Sequence, residues 1–396
     1  MVSARLLLDV SPALYAAYGR LRAMTQERRI HAEQRLYERL AGTGPAARPL
    51  VERLRDRLRA RNIARSRSGE GEWHVLYATM PSDWELHNIP PELSRVARMS
   101  RYYYSERGFD PLGRAWVNRR HRLDKDLLEF VHELNAREPI DVFLGYLSGW
   151  HIAPETLRAI GALGIVTCGF HLDDKLSFRG EWAGGRWEGP AALAAAYDLN
   201  LTSAPSSIVK YEAEGGLAMF WPEAANPRHF RPLDTPFEYD VSFVGACYGY
   251  RPVLIRFLRS RGINVATVGP GWPDGPISEA EMVAVYSRSR INLGFGGIGY
   301  SDREYCLKGR DFEVPMCGAL YLTSHNPELA LVFELDKEIC TYTSPEDCLR
   351  KIEALLGNPE RAAALRLAAR KCCIEKHTWA NRFRELFDLL DRAASG

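Results

Sequence analysis

Leu307-Lys308-Gly309-Arg310-Asp311-Phe312-Glu313-Val314-Pro315-Met316-Cys317-Gly318-Ala319-Leu320-Tyr321-Leu322-Thr323 places a charged helix start just before a short apolar strand. A helix over 311–317 and a buried strand over 320–323 are expected. Free N–H groups and the positive dipole end at a helix start suit an anion. Lys308 and Arg310 can hold a diphosphate there, and Glu313, about one turn in, can accept hydrogen bonds from ribose hydroxyls. That combination fits a sugar nucleotide. From these residues alone, an ordinary helix N-terminus with solvated charges fits as well.

The same alternation runs outward in both directions. Downstream come helices over 345–356 and 359–376, a break at His377-Thr378, and a last helix over 379–392. Upstream are strands over 239–245, 263–268 and 291–295, with helices over 252–261 and 278–287. Glu281 takes the capping-box position after Ser278. A Pro-rich stretch through Pro222, Pro227, Pro232 and Pro236 blocks regular pairing and marks a domain boundary. Before it, strands over 73–80, 97–104, 140–147, 165–171, 199–202 and 218–222 alternate with helices over 118–137, 154–163, 193–197 and 206–215. Short apolar strands between helices argue for parallel sheets covered on both faces. Residues 1–70 read as helices over 13–29 and 32–40, broken at Gly42-Thr43-Gly44-Pro45, with 66–71 a flexible link. The fold class is therefore α/β: two doubly wound, Rossmann-like domains, 71–235 and 236–378, facing a cleft, behind a helical N-terminal extension, 1–70. Ligands of such sheets bind off the carboxyl ends of the strands.

Composition narrows the classes of function. At 396 residues the chain exceeds one comfortable core. A net charge of +2 gives no whole-chain pull towards nucleic acid or membrane. Locally, residues 48–67 carry eight Arg and no Lys; these helices offer either a patch for an anionic partner or a solvated helix face. The eight Cys form no Cys-x-x-Cys pair and no zinc spacing, which fits buried thiols in a reducing cytoplasm. The apolar start, 1–8, is cut by Asp9 and lacks a signal-peptide core. No apolar run reaches bilayer length, so no transmembrane segment and a cytoplasmic location are expected.

Three strand ends of the second domain carry glycines or cations. The first ends in Gly245-Ala246, with Arg251 opening the next helix; small residues admit a phosphate and Arg binds it bidentately. The second ends in Gly269-Pro270-Gly271-Trp272, where the turn can wall a base, with Trp272 stacking or the backbone pairing to the base edge, or is a plain connection. The third ends in Gly294-Phe295-Gly296-Gly297-Ile298-Gly299. Its G-x-G-x-x-G string is rejected as a dinucleotide fingerprint because polar Tyr300-Ser301-Asp302-Arg303-Glu304 follows instead of an apolar helix; a flexible loop near the ligand is expected. In the first domain, His171, Asp173 and Asp174 close a strand, placed for acceptor binding or proton transfer, or for a helix cap. Asp124-Lys125-Asp126 matches a metal-binding D-x-D string but sits in a helical pattern and reads as surface charge. His229, in the Pro-rich linker, reads as a loop residue without a role.

With these motifs in view, residues 239–383 resemble the C-terminal domain of CgeB-like glycosyltransferases, a GT-B group related to glycosyltransferase family 4. The carriers are Tyr239-Asp240-Val241-Ser242-Phe243-Val244-Gly245 with Arg251, Gly269-Pro270-Gly271-Trp272, Lys308-x-Arg310-x-Phe312-Glu313, Cys317-Gly318-Ala319, Tyr342, and His377-Thr378-Trp379 with Arg382. Weaker likeness reaches back to about residue 140. The resemblance implies a GT-B fold with 379–396 crossing back onto the first domain. It implies a nucleotide-sugar donor held by Arg251, Lys308 or Arg310, and Glu313, with no further cofactor and no metal, and retaining transfer to a glycan, protein or natural-product acceptor. Family 4 members carry a second Glu eight residues before Glu313, where this chain has Tyr305, with Glu304 the nearest acid. A non-catalytic GT-B protein that binds nucleotide sugar or scaffolds an assembly, and a GT-B epimerase, are the competing expectations.

Overall fold

The computed structural model describes residues 11–42, 48–63 and 72–395. The apolar chain start, most of the 42–45 break and the 66–71 link lie outside the described residues. The chain divides into two compact units, Ala32–Pro222 with Trp379–Gly396, and Met1–His31 with Glu223–Thr378. The first helix, α1 (Pro12–Ala41), is continuous where two helices are expected, and its residues are shared between the units at His31. Residues 1–70 therefore do not form a unit of their own.

The first unit holds a six-stranded parallel sheet in the order β2-β1-β3-β4-β7-β8. Its strands are β1 (His74–Thr79), β2 (Arg98–Tyr103), β3 (Val142–Gly145), β4 (Val166–His171), β7 (Leu199–Thr202) and β8 (Ala218–Phe220). Every residue of β1, β3, β4 and β7 is buried, as expected for strands covered on both faces. A small hairpin, β5 (Trp182–Ala183) and β6 (Arg186–Trp187), stands apart. The helix α2 (Leu50–Ala60) docks through its arginines. Arg57 donates to the carbonyls of Tyr197 and Gly215, and Arg53 pairs with Glu212 at 2.5 Å. Just beyond the helix, Arg61 reaches Asp198 and the Gly161 and Ile165 carbonyls. Arg53, Arg57 and Arg61 are thus tied to this unit while partly exposed, and Arg48 and Arg59 stay exposed.

Helix α3 (Asp83–Leu93) is absent from the sequence reading because Pro90 and Pro91 lie in it; both fall in its last turn, and burial of Glu85, Asn88, Ile89, Glu92 and Leu93 outweighs poor propensity. Helices α4 (His121–Arg137), α5 (Pro154–Ala162) and α6 (Ile208–Ala213) follow. Residues 193–197, expected as a helix, form turns after a 3-10 turn at Pro190–Ala192.

The second unit holds a five-stranded parallel sheet in the order β10-β9-β11-β12-β13. Its strands are β9 (Tyr239–Val244), β10 (Val265–Val268), β11 (Ser289–Leu293), β12 (Tyr321–Ser324) and β13 (Cys340–Tyr342). With its helices α7 (Arg251–Ser260), α8 (Glu279–Arg288), α9 (Gly309–Met316), α10 (Pro345–Leu356) and α11 (Pro359–Lys376) it is a doubly wound unit. The Ser278–Glu281 capping box forms. The order places the switch point, where connections diverge, between β9 and β11. The last helix, α12 (Trp379–Ala394), belongs to the first unit: Trp379 and Phe383 pack on Trp221, whose indole N–H donates to the Arg382 carbonyl at 2.9 Å.

Candidate functional site

The carboxyl ends of β9 and β10 meet backbone to backbone. Gly245 has φ 149° and Gly269 φ 127°; a Cβ on Gly269 would lie 2.6 Å from the Gly245 carbonyl oxygen. Trp272 closes this corner. Its indole N–H donates to the Gly245 carbonyl at 2.8 Å, and its ring is buried edge-on against Phe243. The expected base-stacking role is therefore not available to Trp272, which supports the corner instead.

Two guanidinium groups share the Phe243 ring, with Arg251 and Arg310 each 5.6 Å from its centroid. Arg251 also lies 4.3 Å over Tyr248 and donates to the Ala246 carbonyl at 3.0 Å. Burial and then Arg310 push the Arg251 pKa down to about 10, so the group stays charged at neutral pH. The buried Nε of Arg310 has no hydrogen-bond partner among the described residues. The Arg310 charge is partly offset by Glu313 and Asp311, which favour its charged form, and an anion beside Arg251 would favour the charge there too.

A cavity of about 360 Å³ opens beside Arg251. Tyr248, Tyr250 and Phe295 form one wall, and Ser324, His325 and Tyr342 rise from the ends of β12 and β13. Thr343, Ser344 and Pro345 bring the start of α10 to its edge. That helix is well formed at this end: Ser344 Oγ accepts from the Asp347 N–H at 3.1 Å and Pro345 follows. The remaining wall is the loop after β11, through Gly297, Gly299, Ser301, Asp302 and Tyr305. It folds back on itself rather than running free. Ile298 N–H donates to the Glu304 carbonyl at 2.9 Å, Cys306 N–H to the Gly296 carbonyl at 3.2 Å, and Ser301 Oγ accepts from the amides of Arg303 and Glu304 at 3.0 Å. No helix follows the glycines directly, in keeping with rejection of the dinucleotide fingerprint.

Of the seven donor-binding candidates, Arg251 alone lines this cavity. Gly245, Gly269 and Trp272 form the corner behind it, and Arg310 lies against Gly245. Lys308 precedes α9, its N–H donating to Asp311 Oδ2 at 2.8 Å. Asp311 also accepts from the Tyr321 hydroxyl at 3.0 Å, and burial raises its pKa to about 6. Glu313 is buried beside Arg310, Tyr286 and Cys317. It does not line the cavity. The sequence reading missed Tyr248, Tyr250, Asp302, Ser324, His325 and Ser344 as lining groups. The signal available for Ser344 was its cap position before Pro345; the aromatic pair carried none. Tyr305, standing where family 4 has an acid, does face the cavity, whereas the Glu304 carboxylate meets His31 Nε2 at 2.5 Å.

In the first unit, His171 ends β4, fully enclosed. Burial, and then His151, push its pKa down to about 3, so it is neutral; its Nε2 has no partner among the described residues. Asp174 is buried too, accepting from the Tyr211 hydroxyl at 2.9 Å, and burial raises its pKa to about 6. Asp173 is exposed. The three candidates are thus neighbours in sequence with different environments. The D-x-D carboxylates are not plain surface charge. Asp124 accepts from Ala153 N–H and Thr156 Oγ1 at the start of α5, and Asp126 from the Tyr102 hydroxyl and Arg107. His229 lies 3.6 Å from Glu279. Among the described residues no cluster of His, Cys, Asp or Glu could hold a metal ion, and no helix is long and apolar enough to cross a membrane.

Comparison with known proteins agrees with this geometry. The family model described as glycosyl transferase-like matches residues 251–388, beginning at Arg251. Sucrose-phosphate synthase from Thermosynechococcus elongatus is similar in fold, with 13% identity and a TM-score of 0.51 over 81% of this chain and 100% of that one. A glycosyltransferase from Rickettsia africae shows 10% identity and a TM-score of 0.52 over 82% and 99%. Anabaena Alr3699/HepE, solved in complex with UDP-glucose, shows 9% identity and a TM-score of 0.55 over 80% and 99%. No curated protein matches the chain. The fold is that of the GT-B glycosyltransferases, with two Rossmann-like domains, and the second carries a glycosyl transferase-like domain.

Proposed function

We propose that this chain is a glycosyltransferase of the CgeB-like type that moves a hexose from a nucleotide-sugar donor to a glycan, protein or natural-product acceptor. The observation that carries the proposal is the 360 Å³ cavity at the carboxyl ends of parallel strands, with Arg251 at its wall and a helix start at its edge. A diphosphate there meets a fixed cation, a helix dipole and hydroxyl donors, while the aromatic wall suits a base or sugar face. As the bond to the sugar breaks, charge grows on the diphosphate, and groups already held in place stabilise it without reorganising. We read the transfer as retaining and metal-independent, with the acceptor proton passing to the leaving phosphate. His171, Asp173 and Asp174 are assigned to the acceptor side, and a cytoplasmic location is proposed.

A thermal-shift screen with UDP-, GDP-, dTDP- and CMP-sugars tests the donor assignment, since a ligand bound to the folded state alone raises the melting temperature. Stabilisation by one of them, followed by donor hydrolysis or transfer, is expected; no response to any of the four refutes the reading. Loss of activity in EDTA with recovery in manganese would refute metal independence. One observation favours a second reading, a nucleotide-sugar-binding protein without catalysis: Tyr305 occupies the position of an acid, and Glu304 is held by His31. Binding without hydrolysis or transfer would select it.

A further inference from the structure

The cavity wall built by the loop after β11 supports itself only in part. Its internal bonds leave the Tyr300 N–H and the Ser301 hydroxyl proton to find partners elsewhere. Residues 18–31 of α1 supply them. Gln26 acts as a two-ended clamp: its Nε2 donates to the Ile298 carbonyl at 2.8 Å and its Oε1 accepts from the Tyr300 N–H at 3.1 Å. One residue on, Glu27 accepts from the Ser301 hydroxyl at 2.5 Å. A turn later, His31 meets Glu304 at 2.5 Å. The Tyr300 ring, outside the cavity, is held edge-on by Tyr18 at 6.3 Å and covered by Arg22 at 5.1 Å. Gly299 lets the helix come this close. With φ at 57°, a Cβ there would lie 2.3 Å from Gln26 Oε1.

The gripped residues, Ile298, Tyr300, Ser301 and Glu304, interleave with or include those that line the cavity, Gly297, Gly299, Ser301, Asp302 and Tyr305. The helix packs partly through apolar side chains, since Tyr15 and Ile30 are buried, but Leu14, Leu21 and Met24 are exposed. Its polar side chains Gln26, Glu27 and His31 all bond to this one loop. Loops carrying binding residues are otherwise the mobile part of a domain, and a fixed wall removes an ordering cost from ligand binding.

We infer that α1 is the outer brace of the donor pocket, and that Gln26 and Glu27 are positioning residues that set donor affinity through the loop at 297–305. The inference rests on the donor reading given above. Nothing in the glycosyl transferase-like match, which begins at Arg251, includes this helix. The brace is therefore a feature that this chain adds to the pocket from a distant part of its sequence.

The test uses the full chain, with UDP, GDP, dTDP and CMP as probes in calorimetry. Gln26→Leu removes both clamp bonds, Glu27→Leu removes the Ser301 acceptor, and Glu27→Gln keeps an oxygen in that place. Gln26→Leu and Glu27→Leu are each expected to weaken binding of the preferred nucleotide about tenfold, the equivalent of one or two hydrogen bonds. Donor KM should rise with kcat little changed, and amides at 297–305 should exchange faster. Glu27→Gln should restore the parent affinity, which a general loss of stability would not allow. Parent-like affinity and KM in both Leu variants, with the parent protein binding nucleotide, would overturn the brace while leaving the donor reading intact. Binding of none of the four nucleotides by the parent would instead refute the donor reading and the pocket assignment with it. If Gln26→Leu fails to fold, the Glu27 pair decides alone.

Discussion

Arg251 concentrates the chemistry of the site at a single residue. It is held over Tyr248 and against the Ala246 carbonyl, so its charge is placed before any ligand arrives. Arg251→Gln should weaken nucleotide binding by about 1.5–3 kcal/mol, the worth of a charged hydrogen bond, or roughly 10- to 150-fold in titration calorimetry. Glu313→Ala and Lys308→Ala should act through Arg310 and the α9 start, and so more weakly, because neither lines the cavity. A different carboxylate gives a pH signature. Glu85 accepts from the Tyr77 hydroxyl and from Thr79 Oγ1 at 3.2 Å, yet burial raises its pKa from 4.5 to about 7. The folded state therefore favours the protonated form. The stability it contributes is complete below pH 4.5 and is lost as pH rises through 7, a change of about 3 kcal/mol. Urea titrations should show that decline in the parent and a flatter profile in Glu85→Gln; an unchanged slope in the variant would refute the assignment. Among the site residues, cations and glycines at strand ends were legible because their chemistry is local. Tyr248, Asp302 and His325 were not, because only the folded loops bring them together.

At the scale of elements, legibility followed length and patterning. The strand at His74–Thr79 and the helix at His121–Arg137 could be read from apolar periodicity, and Ser278–Glu281 from its capping box. β13 was missed because three residues cannot show a period, and α3 because two prolines argue against a helix that tertiary burial nonetheless forms. The arginines of 48–67 read as a solvated face or a patch for an anionic partner, but Arg61, just beyond α2, is bonded to Asp198 and two carbonyls. Arg61→Met should cost about 3–5 kcal/mol in denaturant unfolding because it leaves the buried Asp198 short of its partner; a loss below about 0.5 kcal/mol would mean the contact is ordinary surface pairing. Helix α12 carries a larger share. Trp379, Phe383 and Leu386 are fully buried with Trp221, so truncation after Thr378 should lower the melting temperature sharply or prevent folding. An unchanged melting temperature would contradict its place in the first unit.

Across the whole molecule, both units build parallel sheets whose second strand lies outside the first and whose third lies on its other side. Alternating strands and helices announced the parallel sheets, but alternation is silent on strand order, and order is what puts a switch point between β9 and β11. The Pro-rich stretch suggests a boundary at 235/236, and the division falls earlier, between Pro222 and Glu223; the sharing of α1 between units was not legible, since a helix pattern does not say what the helix packs on. The central claim is that a nucleotide sugar binds in the second unit with its diphosphate at Arg251. A crystal structure of the protein soaked with the nucleotide sugar that stabilises it most is the direct test. The account predicts diphosphate oxygens within hydrogen-bond distance of the Arg251 guanidinium, inside the cavity bounded by Tyr248, Asp302 and Ser344. Density for the nucleotide at any other place, with that cavity still holding only water, would contradict it.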